Sequence, residues 1–434
     1  MADGWSSKKA FVLASIGAAV GIGNIWRFPY IASGHGGFWF IIPYVICLLA
    51  VGIPLFLLET GQGFHLKRGF FKSVENSKDL PFVKKHIRRL FGVFPVAVST
   101  IILAYYMALT GWTLWFAIEF ILGSGPTFSA MQQSYLPIAA YAIVFLSSFY
   151  IASKGISKGI EPVTAYLVPA LFAFLLLLFL YSLSLPNAHS HVLNSFSSGH
   201  EKILDPRAWY YALSQVLFSL SVGYGIMFTY GIHVKQGRNI FSSAFEVAGA
   251  DTAASLLALF SIIVLGATAG VTASGLSLSF ESLPAFFASQ GLIGAIVGAA
   301  FFLLLFSAAF TSVLSMVENT FASTSFLGSG WKYLIWAGIF ALGLLSALSY
   351  SPMKLEALGK PILDQLDFIF GTFLAPFSAL VVAFCCAYLL PHRHIAAKIG
   401  IPAKYEGLFS FTVSKIIPAA LLLLIIFSQM SGLY

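Results

Sequence analysis

The chain has 434 residues, of which 59% are hydrophobic and only 9% are charged, and its 24 basic and 16 acidic residues give a formal charge of +8. A soluble domain carries roughly 25% charged residues, and so few charges do not provide a water-exposed surface. The composition excludes a disordered chain, a nucleic-acid-binding protein and almost any soluble enzyme, and it predicts an all-α integral membrane protein surrounded by lipid.

Eleven long apolar runs follow one another along the chain. Each approaches or exceeds the ~20 residues that cross a bilayer as a helix. They lie at about 10–31, 38–59, 90–122, 135–151, 162–184, 208–230, 241–272, 292–322, 331–350, 363–390 and 410–431. We predict a single transmembrane domain over residues 1–434, with five spans at about 10–184, five at about 208–390 and an eleventh at about 410–431.

Basic residues are concentrated in every second loop. Lys8 and Lys9 precede the first run, and a dense basic group between Lys67 and Arg89 follows the second run. Cytoplasmic loops of membrane proteins carry such an excess of lysine and arginine. The N-terminus is therefore predicted to lie in the cytoplasm, and after eleven spans Tyr434 lies outside the cell membrane.

The first and sixth runs have features of interrupted helices. Three glycines within Gly17–Gly23 weaken the first helix, and the polar Asn24 and Arg27 follow at once. In the sixth run, Ser219–Gly225 combines small polar residues with two glycines. Close helix packing is one explanation for glycines in a membrane. It does not account for Asn24 and Arg27, which are costly in hydrocarbon unless they face a cavity or a partner.

The two interrupted runs are the first members of two sets of five. An odd number of spans per set means that the second set enters the membrane from the opposite side, so the sets are predicted to be inverted repeats. Interrupted spans at matching positions are typical of a transporter's binding site. The freed N–H groups attract a carboxylate, and the freed carbonyls attract a small cation such as Na⁺.

These stretches resemble a known family. Gly17–Tyr30, Gly36-Gly37 and Ile42-Pro43-Tyr44 look like the opening of the neurotransmitter:sodium symporters, which have the LeuT fold. The likeness continues through Gly155–Glu161 and Thr311-Ser312 and covers nearly the whole chain. It implies sodium-coupled symport of a neutral amino acid by alternating access, through broken helices 1 and 6 of two inverted five-helix repeats.

The resemblance implies two sodium sites. The first, Na1, would use Ala19, Asn24, Ser219 and Asp251 together with the substrate carboxylate. The second, Na2, would use Gly17, Val20, Ala308, Thr311 and Ser312. Oxygen ligands suit a hard alkali cation. The Thr311 and Ser312 hydroxyls also have an ordinary alternative, which is to bond carbonyls of their own helix.

The resemblance also implies a substrate site. Backbone N–H groups around Gly21 to Gly23 and the Tyr106 hydroxyl would hold a carboxylate. No acidic residue stands beside Gly21, where amine-carrying relatives place an aspartate, so an amino acid is favoured over a decarboxylated amine. The implied pocket walls are mostly apolar, which favours a neutral hydrophobic or aromatic side chain. The implied residues are Ala18, Ala19, Gly21, Gly23, Ile102, Tyr106, Phe218, Ser219, Ser221, Tyr224, Ser312 and Met316.

Asp251 departs from the pattern of many relatives, which have asparagine at this position. We expect its carboxylate to replace chloride, so that transport does not require that anion. The residues that would otherwise frame a chloride site are Tyr44, Gln215, Ser219 and Ser255.

Gates on both sides of the site are implied as well. Arg27 and Asp367 resemble the family's outer ion pair, and Trp5 resembles part of the inner gate. The inner gate otherwise departs from the family pattern, since a basic, an acidic and a tyrosine position are occupied by Ala2, Phe326 and His233. Inner closure then either uses other contacts or leaves inward-facing states unusually populated.

Two other functions remain open. One is a sodium-coupled carrier of another small carboxylated solute, such as a betaine, taurine or a GABA-like compound. The other is a non-transporting membrane sensor. An enzyme is not expected, because no nucleophile–base set lies in the spans. Glu59 and Glu318 are candidates for a proton path or for structural pairing, and the sequence does not specify an oligomeric state.

Overall fold

The helices of the chain were described from a computed structural model, which covers residues 4–77, 83–197, 199–270, 278–390 and 395–430. Within these ranges, nine helices are long and apolar enough to cross a membrane. They are Gly37–Leu66, Lys85–Ile121, Leu136–Ser153, Ile156–Ser184, Ile240–Thr268, Gly291–Thr324, Ser329–Ser349, Ile362–Leu389 and Ala403–Met430. The helices Lys8–Ala19 and Gly23–Gly34 form a further, bent span.

The remaining predicted run, the sixth, is also a pair of helices, Pro206–Ser219 and Ile226–Ile232. Each half is too short to cross a bilayer alone. The predicted runs thus coincide with helices or helix pairs, and their ends are displaced by a few residues. Short elements complete the described chain: Phe70–Glu75, Phe128–Gln132, Ala188–Ser197, His200–Leu204, Leu278–Ser282, Leu283–Ser289, Ile395–Lys398 and the antiparallel strands Glu356–Ala357 and Lys360–Pro361.

Both predicted breaks are present in the structure. The first span leaves the helical conformation at Val20, with φ −80° and ψ 92°, and its two halves are bent by 54°. The sixth span is unwound between its halves, where Ser221, Gly223 and Gly225 have positive φ. At Gly223 a Cβ atom would lie 2.5 Å from the Cβ of Ala379, so only glycine fits there.

Glu59, which lies on the second span, stabilises the break in the sixth span. Its buried carboxylate accepts a hydrogen bond from the Gly223 N–H, a donor that unwinding leaves without a helical partner. In the structure, the Glu59 carboxylate is thus paired with a backbone N–H group of span six.

The two broken spans lie at the centre of the bundle. The first half of span one packs against spans five, seven and eight, and the second half of span six packs against span two. Spans three and eight pack together extensively beside them. On the outside, large apolar side chains such as Leu292, Ile293 and Leu423 are exposed, as expected for a surface in contact with lipid.

Candidate substrate and ion site

A cavity lies between the two breaks and spans three and eight. Its walls are Ala18, Ala19, Gly21, Ser99, Ile102, Tyr106, Phe218, Ser221, Tyr224, Ile226, Ser312, Ser315 and Met316. Ten of the twelve predicted substrate residues are among them. Gly23 and Ser219 are not, because Gly23 packs against the Phe218 ring and the Ser219 hydroxyl donates to Asp251. Sequence reasoning missed Ser99, Ile226 and Ser315, whose side chains carry no motif.

Gly21 keeps open the part of the cavity where a carboxylate is expected. A Cβ atom on this residue would lie 3.1 Å from Ser312 Oγ and 3.2 Å from Tyr106 Oη. Tyr106 Oη accepts a hydrogen bond from the Ile22 N–H at 3.3 Å, which directs the phenol proton away from this part of the backbone. The Gly21 N–H, in contrast, already donates to Asn24 Oδ1 at 3.0 Å.

The side chains predicted for Na1 form one buried cluster around Asp251. The Asp251 carboxylate accepts hydrogen bonds from Ser219 Oγ at 2.6 and 2.7 Å, from Asn24 Nδ2 at 2.7 Å and from Tyr44 Oη at 3.0 Å. In the part of the chain that the structure describes, no basic side chain forms an ion pair with it. A buried carboxylate surrounded only by neutral donors lacks charge compensation, and a bound cation would supply it.

The side-chain amide of Asn24 lies in this cluster in one particular orientation. Its amide nitrogen faces Asp251 and also lies 2.9 Å from Ser255 Oγ, while its amide oxygen accepts from the Gly21 N–H. Ligation of Na⁺ by Asn24 therefore requires the amide to turn so that Oδ1 faces the carboxylate.

The residues of the predicted chloride position divide into two groups. Tyr44 and Ser219 contact Asp251 directly. Ser255 Oγ accepts a hydrogen bond from Asn24 Nδ2, which also donates to Asp251. Gln215 does not join them. Its Oε1 accepts from Arg27 at 2.8 Å and its Nε2 donates to the Gly23 carbonyl at 3.4 Å.

The side chains predicted for Na2 meet where spans one and eight touch. Ser312 Oγ lies 3.4 Å from the Gly17 carbonyl, and Gly17 packs against the Thr311 side chain. The Thr311 hydroxyl donates to Ser307 and Ala308 within its own helix, and Ser312 also donates to Ala308. Both hydroxyl protons are thus donated to carbonyls of their own helix, while the oxygen lone pairs stay available to a cation. Val20 ends the first helix, three residues after Gly17.

Arg27 and Asp367 do not form the expected outer ion pair in this structure. Arg27 donates to Gln215 and to Ser214 Oγ at 3.0 Å and lies over the Phe218 ring. Asp367 is exposed and accepts from Tyr105 Oη at 2.9 Å. Within the described ranges no ion pair joins the two. Arg27 and Gly371, one turn beyond Asp367, line a second cavity, which shares Phe218 and Tyr224 with the substrate cavity.

The N-terminal segment packs against the bundle on the side where the inner gate is expected. Trp5 is 2% exposed, its Nε1 donates to the Tyr230 carbonyl at 3.1 Å, and its backbone N–H donates to the His233 carbonyl at 3.1 Å. Ser6 donates to Glu161 of span five through its N–H at 3.0 Å and through its hydroxyl. These contacts hold the segment across spans five and six.

The substituted gate positions take other partners. His233 Nε2 lies 3.0 Å from Glu318 Oε1, and both side chains are largely buried. Phe326 stacks on Phe71 with ring centroids 5.0 Å apart, and Lys72 lies over the Phe326 ring. Ala2 lies outside the described residues. The structure thus has other contacts at the two described positions, and the population of inward-facing states stays a prediction.

Trp5→Ala is expected to open the inner side. Truncating a buried tryptophan costs about 3–5 kcal/mol. The free-energy difference that favours the closed arrangement over the open one therefore becomes much smaller. The reporter is Ser15→Cys, one helical turn beyond Phe11, which packs against Trp5. Cys47, Cys385 and Cys386, all buried, are first replaced by alanine. Thiol labelling of this cysteine should accelerate at least about tenfold.

The matched control for this variant is Trp331→Ala, because Trp331 is 66% exposed on span nine. It should leave the labelling rate unchanged. An equal labelling rate with and without Trp5 would contradict a gating role for this residue.

Comparison with known proteins places these features among transporters. The sequence matches the Sodium:neurotransmitter symporter family over residues 2–128 and 129–432. It is 29% identical to YhdH of Bacillus subtilis, an uncharacterised sodium-dependent transporter, over 99% of this chain and 98% of that protein. It is 27% identical to the sodium-dependent neutral amino acid transporter B(0)AT2 of Rattus norvegicus, over 62% of this chain and 41% of that protein.

A solved structure resembles the whole bundle. The crystal structure of MhsT in complex with L-phenylalanine superimposes with a TM-score of 0.85, at 29% sequence identity, over 98% of this chain and 99% of that chain.

Proposed function

Because the chain belongs to the sodium:neurotransmitter symporter family and is a sodium-dependent transporter with the LeuT fold predicted from its sequence, we propose that it carries a neutral, hydrophobic or aromatic amino acid together with Na⁺ by alternating access. Two sodium ions are cosubstrates in this proposal. The substrate lies between the unwound segments of spans one and six.

The observation that carries the proposal is the buried Asp251 carboxylate next to the break in span one. It has three neutral donors around it, Asn24, Ser219 and Tyr44, and a sodium ion at Na1 would balance its charge. At Na2, the Gly17 carbonyl and the Thr311 and Ser312 hydroxyl oxygens provide the ligand chemistry that a hard cation prefers. With its negative charge already present, the Na1 cluster needs no chloride.

The shape of the cavity supports an amino acid as substrate. The open space beside Gly21 and Tyr106 suits a carboxylate, and the Ala18 carbonyl near Ser221 suits an ammonium group. Ile102, Phe218 and Met316 form apolar walls, which favour a hydrophobic or aromatic side chain over taurine or a betaine. L-phenylalanine in MhsT and neutral amino acids for B(0)AT2 are consistent with this class.

The orientation in the cell membrane follows the basic loops. We propose a cytoplasmic N-terminus, so that the segment around Trp5 closes the cytoplasmic side and the cavity beside Arg27 faces outward.

The test is uptake into proteoliposomes for the twenty amino acids, taurine, glycine betaine and GABA. We expect an inward Na⁺ gradient to drive accumulation of at least one hydrophobic or aromatic amino acid, while a K⁺ gradient does not. Accumulation only of taurine, betaine or GABA would support the alternative carrier instead. If every solute that accumulates does so equally with a Na⁺ and with a K⁺ gradient, sodium symport is overturned.

A further inference from the structure

Two serine side chains that the sodium and carboxylate sites do not use line the substrate cavity. Ser99 belongs to span three and Ser315 to span eight, and both are buried. Asn319, one helical turn after Ser315, places its Nδ2 3.4 Å from Ser99 Oγ. The two hydroxyls therefore lie on the same side of the cavity, and neither is needed for the sodium sites or for the carboxylate.

Ser99 has a hydrogen-bond donor without a protein acceptor. Its oxygen accepts from Asn319, whose amide is held by Thr229 Oγ1 at 2.8 Å and by the Tyr224 carbonyl at 3.1 Å. Thr100 and Thr110 of the same helix donate to carbonyls one turn back. For Ser99, among residues 4–77, 83–197, 199–270, 278–390 and 395–430, no acceptor receives its proton. A buried hydroxyl of this kind favours a ligand that accepts a hydrogen bond.

Ser315 has the opposite property. Its hydroxyl donates to the Ser312 carbonyl at 2.7 Å, so the proton is used and the oxygen lone pairs remain. The two serines thus offer a ligand in the cavity one donor, the Ser99 hydroxyl proton, and one acceptor, the Ser315 oxygen.

The position of Ser99 along span three leaves room for an aromatic amino acid between it and Tyr106. Ser99 precedes Tyr106, beside the expected carboxylate, by seven residues, which is about 10.5 Å of α-helix. That rise exceeds the distance from the carboxylate to the para carbon of an aromatic amino acid, and the difference leaves room for a hydroxyl group on the ring and for a hydrogen bond at either end. Between the two ends lie Ile102 and Met316, which can pack against a ring.

We propose that Ser99 and Ser315 select an aromatic amino acid with a para-hydroxyl group, of which tyrosine is the natural example. The phenol oxygen accepts from Ser99, and the phenol proton is donated to Ser315. Phenylalanine leaves the Ser99 proton without an acceptor and the Ser315 oxygen without a donor, and the indole N–H of tryptophan can satisfy only Ser315. This inference rests on the proposed amino-acid symport and assigns its specificity.

The test compares sodium-driven uptake of tyrosine, phenylalanine and tryptophan in the unmodified protein and in two variants. The unmodified protein is expected to have a half-saturating concentration for tyrosine at least about tenfold below that for phenylalanine, because a site built for a hydroxyl disfavours the analogue that lacks it. Ser99→Ala and Ser315→Ala should each raise the tyrosine value about fivefold and leave phenylalanine within about twofold. Retained phenylalanine uptake shows that the variants are folded.

The control is Ser346→Ala, a buried serine on span nine that donates to its own helix and lies away from the cavity. It should change neither value. A phenylalanine value equal to or below that of tyrosine in the unmodified protein would overturn the proposal, as would equal losses for both substrates in the variants. In those cases sodium-driven uptake persists and the proposed function stands. Absence of sodium-driven uptake for every amino acid would overturn both.

Discussion

Replacing Asp251 with asparagine is expected to lower sodium-driven uptake at least about 100-fold in chloride-free buffer, since loss of a buried charge partner costs about 3–5 kcal/mol. In the variant, the hydroxyls of Ser219 and Tyr44 lose their carboxylate acceptor. The cluster then contains donors without a negative charge, and a small anion fits it better than a cation alone. Chloride should therefore restore a large part of the uptake by Asp251→Asn.

The measurement is initial uptake rate in chloride and in gluconate buffers at a fixed sodium concentration. The unmodified protein should transport equally in both, and so should Asp205→Asn, because asparagine also serves as the N-cap that Asp205 provides to span six. If chloride removal abolishes uptake by the unmodified protein, Asp251 does not replace the anion. An Asp251→Asn variant that stays fully active without chloride contradicts the same idea.

Removing one oxygen from either proposed sodium site should weaken sodium dependence. Asn24→Ala deletes a Na1 ligand, and Thr311→Val deletes the Na2 hydroxyl while nearly preserving side-chain shape. A hydrogen-bonding group that contacts a charge contributes about 1.5–3 kcal/mol, so the half-saturating Na⁺ concentration should rise at least about tenfold in each variant. Asn24→Ala should have the larger effect, because it also leaves the Gly21 N–H without its acceptor and removes one of the three donors to Asp251.

Sodium-dependent substrate binding in detergent measures this directly, since it does not depend on gating. Thr113→Val is the matched control. Thr113 is buried on span three and donates to the Thr110 carbonyl, away from both sites. Unchanged sodium affinity in Thr311→Val would mean that its hydroxyl only bonds its own helix, as it does to Ser307 and Ala308 in the structure.

Local features of the sequence predicted the fold well. Runs of apolar residues specify spans because the bilayer fixes the length of helix that must be covered. The two breaks were predictable because glycine and polar residues destabilise a membrane helix within a few positions of themselves, as at Gly21–Asn24 and Ser221–Gly225. Most cavity residues followed from the resemblance, because the broken spans anchor its motifs.

What the sequence by itself determined is the membrane class, the spans and the two broken helices that frame the candidate site, since each depends on composition and neighbouring residues. The tertiary structure alone decided which side chains meet. Gln215 turned to Arg27 instead of Asp251, His233 found Glu318, and Ser99 came to face the cavity beside Ser315. Such contacts join residues far apart in the chain, and only the packing of helix faces determines which polar atoms acquire partners and which remain for a ligand.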